Sequence, residues 1–222
     1  MKTMRILIFA VFAAIVASSA LSAQDLSRYR SFSFGMSLTE VLKLTDRNLA
    51  EVKTKVEHPA LIQELNWWPP TISERAYQAD AVQQVLFSFY NGELYRVLVT
   101  YDPSAVKGLT AEDMVQSVST RYGTATTTLK ALGNPANEPY SQQAIAVWED
   151  GQYSVKLVHS PFSGGYGLVI ISKHTNAEAE TAGVEAGKLE AIERPQKEAD
   201  RRKKEADNLE VERQKNKKVF RP

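Results

Sequence analysis

The side chains best suited to metal or acid–base chemistry are sparse. Three histidines, His58, His159 and His174, stand far apart with no paired spacing, and the chain has no cysteine. A zinc site would have to gather carboxylates from several separate elements. No loop carries the Asp/Asn spacing of a calcium site. His159 falls on the apolar parity of a strand and reads as a packing residue. Ser163-Gly164-Gly165-Tyr166-Gly167 is rich in glycine but precedes a strand. A phosphate cradle needs its glycines before a helix N-terminus, so this segment reads as a flexible turn. His159 and Ser160 are neighbours in sequence, and neighbours in a strand point to opposite faces. No serine stands in a sharp strand-turn-helix. Two of the many carboxylates could meet in the fold as a glycosidase pair, but nothing in their spacing favours it. The expectation is a non-catalytic protein without a cofactor.

Aromatic residues offer the remaining chemistry. Trp67 and Trp68 are adjacent and run into Pro69-Pro70. Adjacent rings cannot both point the same way, so one is expected to pack inward and the other to stand exposed beside a rigid turn. An exposed Trp serves protein hot spots or sugar stacking. Both rings could instead be buried between a helix and the sheet. Trp67, Trp68, Tyr90 and Tyr77 are the candidate binding residues.

Three zones must position them. Residues 1–23 have the pattern of a signal peptide: Lys2 and Arg5, the apolar run Ile6 to Ala17, then small residues ending at Ala20 or Ala23. That run is shorter than the ~20 residues a spanning helix requires. Cleavage after Ala23 is favoured because Gln24-Asp25 opens the polar chain. The expected location is periplasmic or secreted, with no transmembrane anchor. Without a cysteine there is no lipidation site. Residues 24–173 hold most of the aromatic and β-branched residues and form the body. Residues 174–222 are a charged tail.

The net charge is +1. Acids slightly outnumber bases in the body and bases slightly outnumber acids in the tail. Neither zone carries the clustered basic field of a nucleic-acid surface.

Within the body, Gly35-Met36-Ser37-Leu38-Thr39-Glu40-Val41-Leu42 aligns with Gly108-Leu109-Thr110-Ala111-Glu112-Asp113-Met114-Val115. Ser37 and Thr110 are helix caps, and Glu40 and Asp113 can reach back to them as capping boxes. Two such starts, each with the same preceding Gly, suggest repeats over 32–101 and 105–172.

Asn91-Gly92 and Asp150-Gly151 each sit between β-rich runs and mark hairpins. In the first, a bulge at Gly92 gathers Val85, Phe87, Phe89, Tyr95, Val97, Val99 and Tyr101 on one face. In the second, a two-residue loop sets Trp148 opposite Tyr153, Ala146 opposite Val155 and Ala144 opposite Leu157. Tyr166 to Ser172 is apolar through its middle and reads as an inner strand. Ala50 to Glu57 reads as a half-exposed strand, or as an extension of the first helix. In His58 to Pro70, the shared face of Leu61, Ile62, Leu65 and Trp68 predicts a short helix opened by Pro59 and closed by Pro69-Pro70.

The tail has Glu190/Arg194, Glu193/Lys197, Glu198/Arg202 and Asp200/Lys204 at helical i,i+4 spacing. Its best heptad seam is Leu189, Ile192, Gln196, Ala199, Lys203 and Ala206, too polar for a stable coiled coil. Pro195 interrupts it. A solvated, partly helical or disordered extension is expected, or else a helix that docks on a partner.

The body is therefore α+β: a largely antiparallel sheet with helices packed on one side. Phe32-x-Phe34-Gly35-Met36-Ser37-x-x-x-Val41, followed by antiparallel strands and repeated with a linking Arg121-Tyr122-Gly123, resembles the BamE-like outer-membrane assembly modules. In tandem it is similar to the β-lactamase-inhibitory-protein architecture. The chain departs from the first pattern in lacking a lipidation cysteine and a Leu-Gly-x-Pro closing the first helix. The resemblance implies a non-catalytic exported module that recognises another protein through its sheet face. A small-ligand or glycan binder is the alternative.

Overall fold

The computed structural model describes residues 25–69, 81–128, 143–159 and 165–221. The expected signal segment, Tyr77, Ser160 and Ser163 lie outside them. The fold is α+β, as expected. A short ribbon of β1 (Arg28–Tyr29) and β2 (Phe32–Ser33) leads into α1 (Leu38–Thr45). Then come β3 (Lys53–Val56), β4 (Ile62–Trp67), β5 (Val82–Tyr90) and β6 (Glu93–Tyr101). A second helix, α2 (Ala111–Tyr122), precedes β7 (Thr127–Thr128), β8 (Gln143–Glu149), β9 (Tyr153–His159) and β10 (Tyr166–Ser172). A long helix, α3 (Lys173–Val219), follows directly.

The main sheet has eight strands in the order β3-β4-β5-β6-β10-β9-β8-β7. A helix followed by four antiparallel strands thus occurs twice. The two units meet edge to edge at β6 and β10, with Val97 opposite Ile170 and Val99 opposite Leu168.

Both capping boxes form. The Ser37 amide donates to Glu40 Oε2 at 2.8 Å and the Glu40 amide to Ser37 Oγ at 3.3 Å. Thr110 and Asp113 do the same at 2.9 and 3.2 Å. Gly35 and Gly108, each two residues before its cap, have φ of 81° and 86°. A Cβ at either would meet open space, so the left-handed backbone and not crowding is what favours glycine there.

One face of the sheet carries the core. Leu65, Phe87, Val97, Ile170, Val155 and Trp148 lie side by side across six strands, and all have no exposed surface. Val41 of α1, Met114, Val118 and Tyr122 of α2, and Leu26, Tyr29 and Phe32 close over them. Each such side chain taken from water contributes ~1.5–3 kcal/mol.

Several local expectations are corrected. Residues 62–67 are a strand, not a helix. Ile62, paired with Tyr90, and Leu65, paired with Phe87, are both buried, on opposite faces of the sheet. An apolar pattern of this kind satisfies either period, and pairing along β5 decides between them. In the first hairpin the bulge is not at Gly92. Asn91 and Gly92 form a two-residue turn with φ of 51° and 86°, and Tyr90 opposes Glu93. The register slips farther in, where Phe89 opposes Leu94 but Ser88 opposes Arg96. That slip sends Leu94 into the core and Tyr95 to the opposite face.

In the second hairpin Trp148 opposes Val155 and Ala146 opposes Leu157. This is a shift of two from the expected register, so the buried face is kept. The Asp150 carboxylate explains the wider loop, accepting from the amides of Gln152 and Tyr153 at 2.7 Å each. Ala144 opposes Val158, beyond a bulge.

The two helices of the body pack on one side of the sheet, as expected, and the tail helix takes the other. α1 and α2 share the core face, but α3 crosses the other, burying Ala179 and Ala182 against Ala60, Ile62 and Tyr95. From Gly187 to Arg221 every residue of the tail is exposed. The helix runs through Pro195, supported by exposed pairs at Glu190–Arg194, Glu193–Lys197 and Glu198–Arg202. Asp200 and Lys204 do not pair; on that turn Arg201 and Glu205 approach to 3.7 Å.

Candidate binding face

The residues singled out for metal chemistry are not gathered into a site among the described residues. The ring of His159 packs against Tyr166 with centroids 5.1 Å apart. His174 is exposed and lies 3.5 Å from Glu178. Among the described residues no group of three His, Cys, Asp or Glu is arranged to hold a metal.

The three candidate aromatic residues that are described, Trp67, Trp68 and Tyr90, do not form one patch. Trp67 packs into the core, 5.7 Å from Phe32 and 6.2 Å from Phe87. Trp68 is 51% exposed. Tyr90 pairs with Ile62 at one end of β4, whereas Trp67 pairs with Val85 at the other. Five residues of strand separate them, about 17 Å at ~3.4 Å per residue. Tyr90 stands edge-on to Tyr95, ring centroids 6.4 Å apart. With Pro59, Ala60, Ala177 and Ala182 it lines an open groove of about 480 Å³ beside α3.

A different surface emerges on the sheet face that α1 and α2 leave free. Cross-strand pairing sets Asn66, Leu86, Leu98, Val169 and Lys156 in one row. The adjacent row runs Glu64, Ser88, Arg96, Ile171, Ser154 and Glu149. Leu86, Leu98, Val169 and Ile171 are half-exposed and belong to neither packed cluster. They sit on β5, β6 and β10, at the seam between the two repeated units. Trp68, one residue beyond β4, continues the parity of Glu64 and Asn66 toward the edge of this face.

Charge on this face is unevenly satisfied. Lys55 engages Glu64 at 3.2 Å and Lys173 engages Glu149 at 2.7 Å. Arg96 forms no ion pair, and its Nε is shielded from solvent without an acceptor. Ser88 and Ser154 are 1% and 2% exposed; the Ser154 hydroxyl has no partner, and the Ser88 hydroxyl lies at the Tyr95 phenol. Beside them, burial pushes the Tyr95 phenol above its ordinary range, while the positive charge of Arg96 pulls the other way.

No protein-family model matches the chain, and no curated protein or solved structure matches it significantly. Among the described residues, no helix is long and apolar enough to cross a membrane.

Sequence patterning passed over Leu86, Leu98, Val169, Ile171 and Arg96. A signal was present: Leu86 and Leu98 are apolar residues at the hairpin positions that should face water. Paired across β5 and β6, they mark a second apolar face.

Proposed function

We propose that this protein is an exported, non-catalytic binding module that recognises another protein through the sheet face opposite α1 and α2. The observation that carries it is the half-exposed block Leu86, Leu98, Val169 and Ile171, held on three hydrogen-bonded strands at the middle of the sheet. An apolar block bordered by α3 and by polar residues on a sheet face suits a protein surface better than a small molecule, which favours an enclosed pocket. The repeated helix-and-four-strand unit supports the resemblance to tandem assembly modules. Export rests on Lys2, Arg5 and the run Ile6 to Ala17.

A second reading, a small-ligand or glycan binder, is favoured by the groove at Tyr90. Cross-linking pull-downs from envelope and medium separate the two, with residues 24–222 as bait. Variants Leu98→Lys and Tyr90→Ala serve as probes, each checked for its native circular dichroism. The sheet-face proposal expects one partner retained by Tyr90→Ala and lost by Leu98→Lys. The opposite pattern transfers the function to the groove. Binding insensitive to both overturns the two together.

A further inference from the structure

Any partner that covers the block of Leu86, Leu98, Val169 and Ile171 must also cover Arg96. Arg96 sits directly opposite Ile171 on β10 and Ser88 on β5. Its Nε is already out of water and lacks an acceptor. The acids in its own row are engaged, Glu64 by Lys55 and Glu149 by Lys173. Glu180 of α3 lies near Tyr95 but is exposed, and no ion pair joins it to Arg96. A guanidinium cannot shed its proton, so it would remain charged beneath a partner. Sealing an unpaired charge under an apolar contact is strongly unfavourable. A partner that binds here must therefore bring its own acceptor, and a carboxylate matches the planar fork of the guanidinium best.

Building on the proposed protein-binding role, we infer that this face selects a protein segment presenting an acidic side chain flanked by apolar residues, with Arg96 as the anchor for its carboxylate. One further observation supports the site. Lys156, opposite Val169 beside the apolar block, is exposed and forms no ion pair, a second unpaired positive charge on the face.

The test uses a random peptide library displayed on phage, panned in parallel on the intact protein and on Arg96→Gln, Arg96→Lys and Leu98→Lys. Peptides selected by the intact protein and lost with Leu98→Lys should be enriched in Asp or Glu beside apolar residues. Arg96→Gln should weaken such a peptide about tenfold or more, as a charged hydrogen-bonded pair implies. Replacing the peptide's own acid by its amide should cost the same factor, and the two losses should not add. Arg96→Lys should recover only part of the loss. Peptides that depend on Leu98 but carry no acid, or that bind Arg96→Gln equally well, overturn the carboxylate anchor and leave the face reading standing. Peptides indifferent to Leu98 overturn both.

Discussion

The indole nitrogen of Trp148 donates a 2.8 Å hydrogen bond to the backbone carbonyl of Gly123. One end of this contact lies on β8 in the fully buried core row, and the other is the residue that ends α2. The second helix is thereby fixed to its own sheet by one directional bond inside an apolar layer. Tyr122 reinforces the placement, its hydroxyl donating to the Arg28 carbonyl at 3.3 Å. Trp148→Phe should lower stability by on the order of 2 kcal/mol, since it removes both the donor and part of the packed volume. A urea melt followed by far-ultraviolet circular dichroism measures it. A midpoint equal to wild type would show the bond to be dispensable.

The seam between the two units makes a sharper demand. A Cβ added at Gly167 would lie 2.7 Å from the carbonyl oxygen of Val99, a backbone atom fixed by the β6–β10 pairing. Gly167→Ala should therefore force the central strands apart and cost on the order of 2 kcal/mol. Gly151→Ala meets nothing within 4 Å and serves as the mild comparison. Thermal melts of the two variants should separate clearly.

The helix caps give a pH dependence with a defined sign. Hydrogen bonds from Ser37 hold the Glu40 carboxyl below its ordinary range, and those from Thr110 do the same for Asp113. A carboxyl depressed in the folded state stabilises above its unfolded pKa, near ~4. That stability is lost as pH falls through the depressed value. Glu40→Gln and Asp113→Asn should flatten the acid limb of the stability curve. Ser37→Ala or Thr110→Ala should cost about 1 kcal/mol at neutral pH.

Tyr95 reports on the docking of α3. Its phenol is raised chiefly by burial, and that burial depends on the packing of Ala179 and Ala182. A tyrosine raised in the folded state stabilises below its unfolded pKa of ~10, and this is lost as pH climbs through the raised value. Ala182→Glu should undock the helix and return one tyrosine toward its ordinary range in an ultraviolet titration. Tyr122 of α2, raised by its own burial in the core on the other face, should stay raised.

The distal part of α3 should be separable from the body. Every residue beyond Lys188 is exposed as far as Arg221. A chain ended at Lys188 should keep the urea midpoint of the body while losing helical signal. In the full chain, salt should reduce that signal by screening pairs such as Glu193–Lys197, 2.7 Å apart. A fall in the midpoint on truncation would show that the arm folds back on the body.

Local chemistry alone determined much of this molecule. Ser37 and Thr110 with their acids specified two helix starts, because a capping box closes within four residues. Asn91-Gly92 and Asp150-Gly151 specified two turns for the same reason. The α+β class followed from these signals and from the alternation along the strands. Tertiary structure decided whatever depends on a strand distant in sequence. Residues 62–67 became a strand because β5 offered them a partner, and Tyr95 changed face because the slip fell between Ser88 and Phe89. The same dependence hid the candidate site. Arg96 becomes an anchor only when β10 lies beside β6, which brings Ile171 against it and leaves the acids of its row to other cations. Sequence spacing carries face alternation within a strand, but neighbours across a sheet are set by register, and register is fixed only when the whole face is buried.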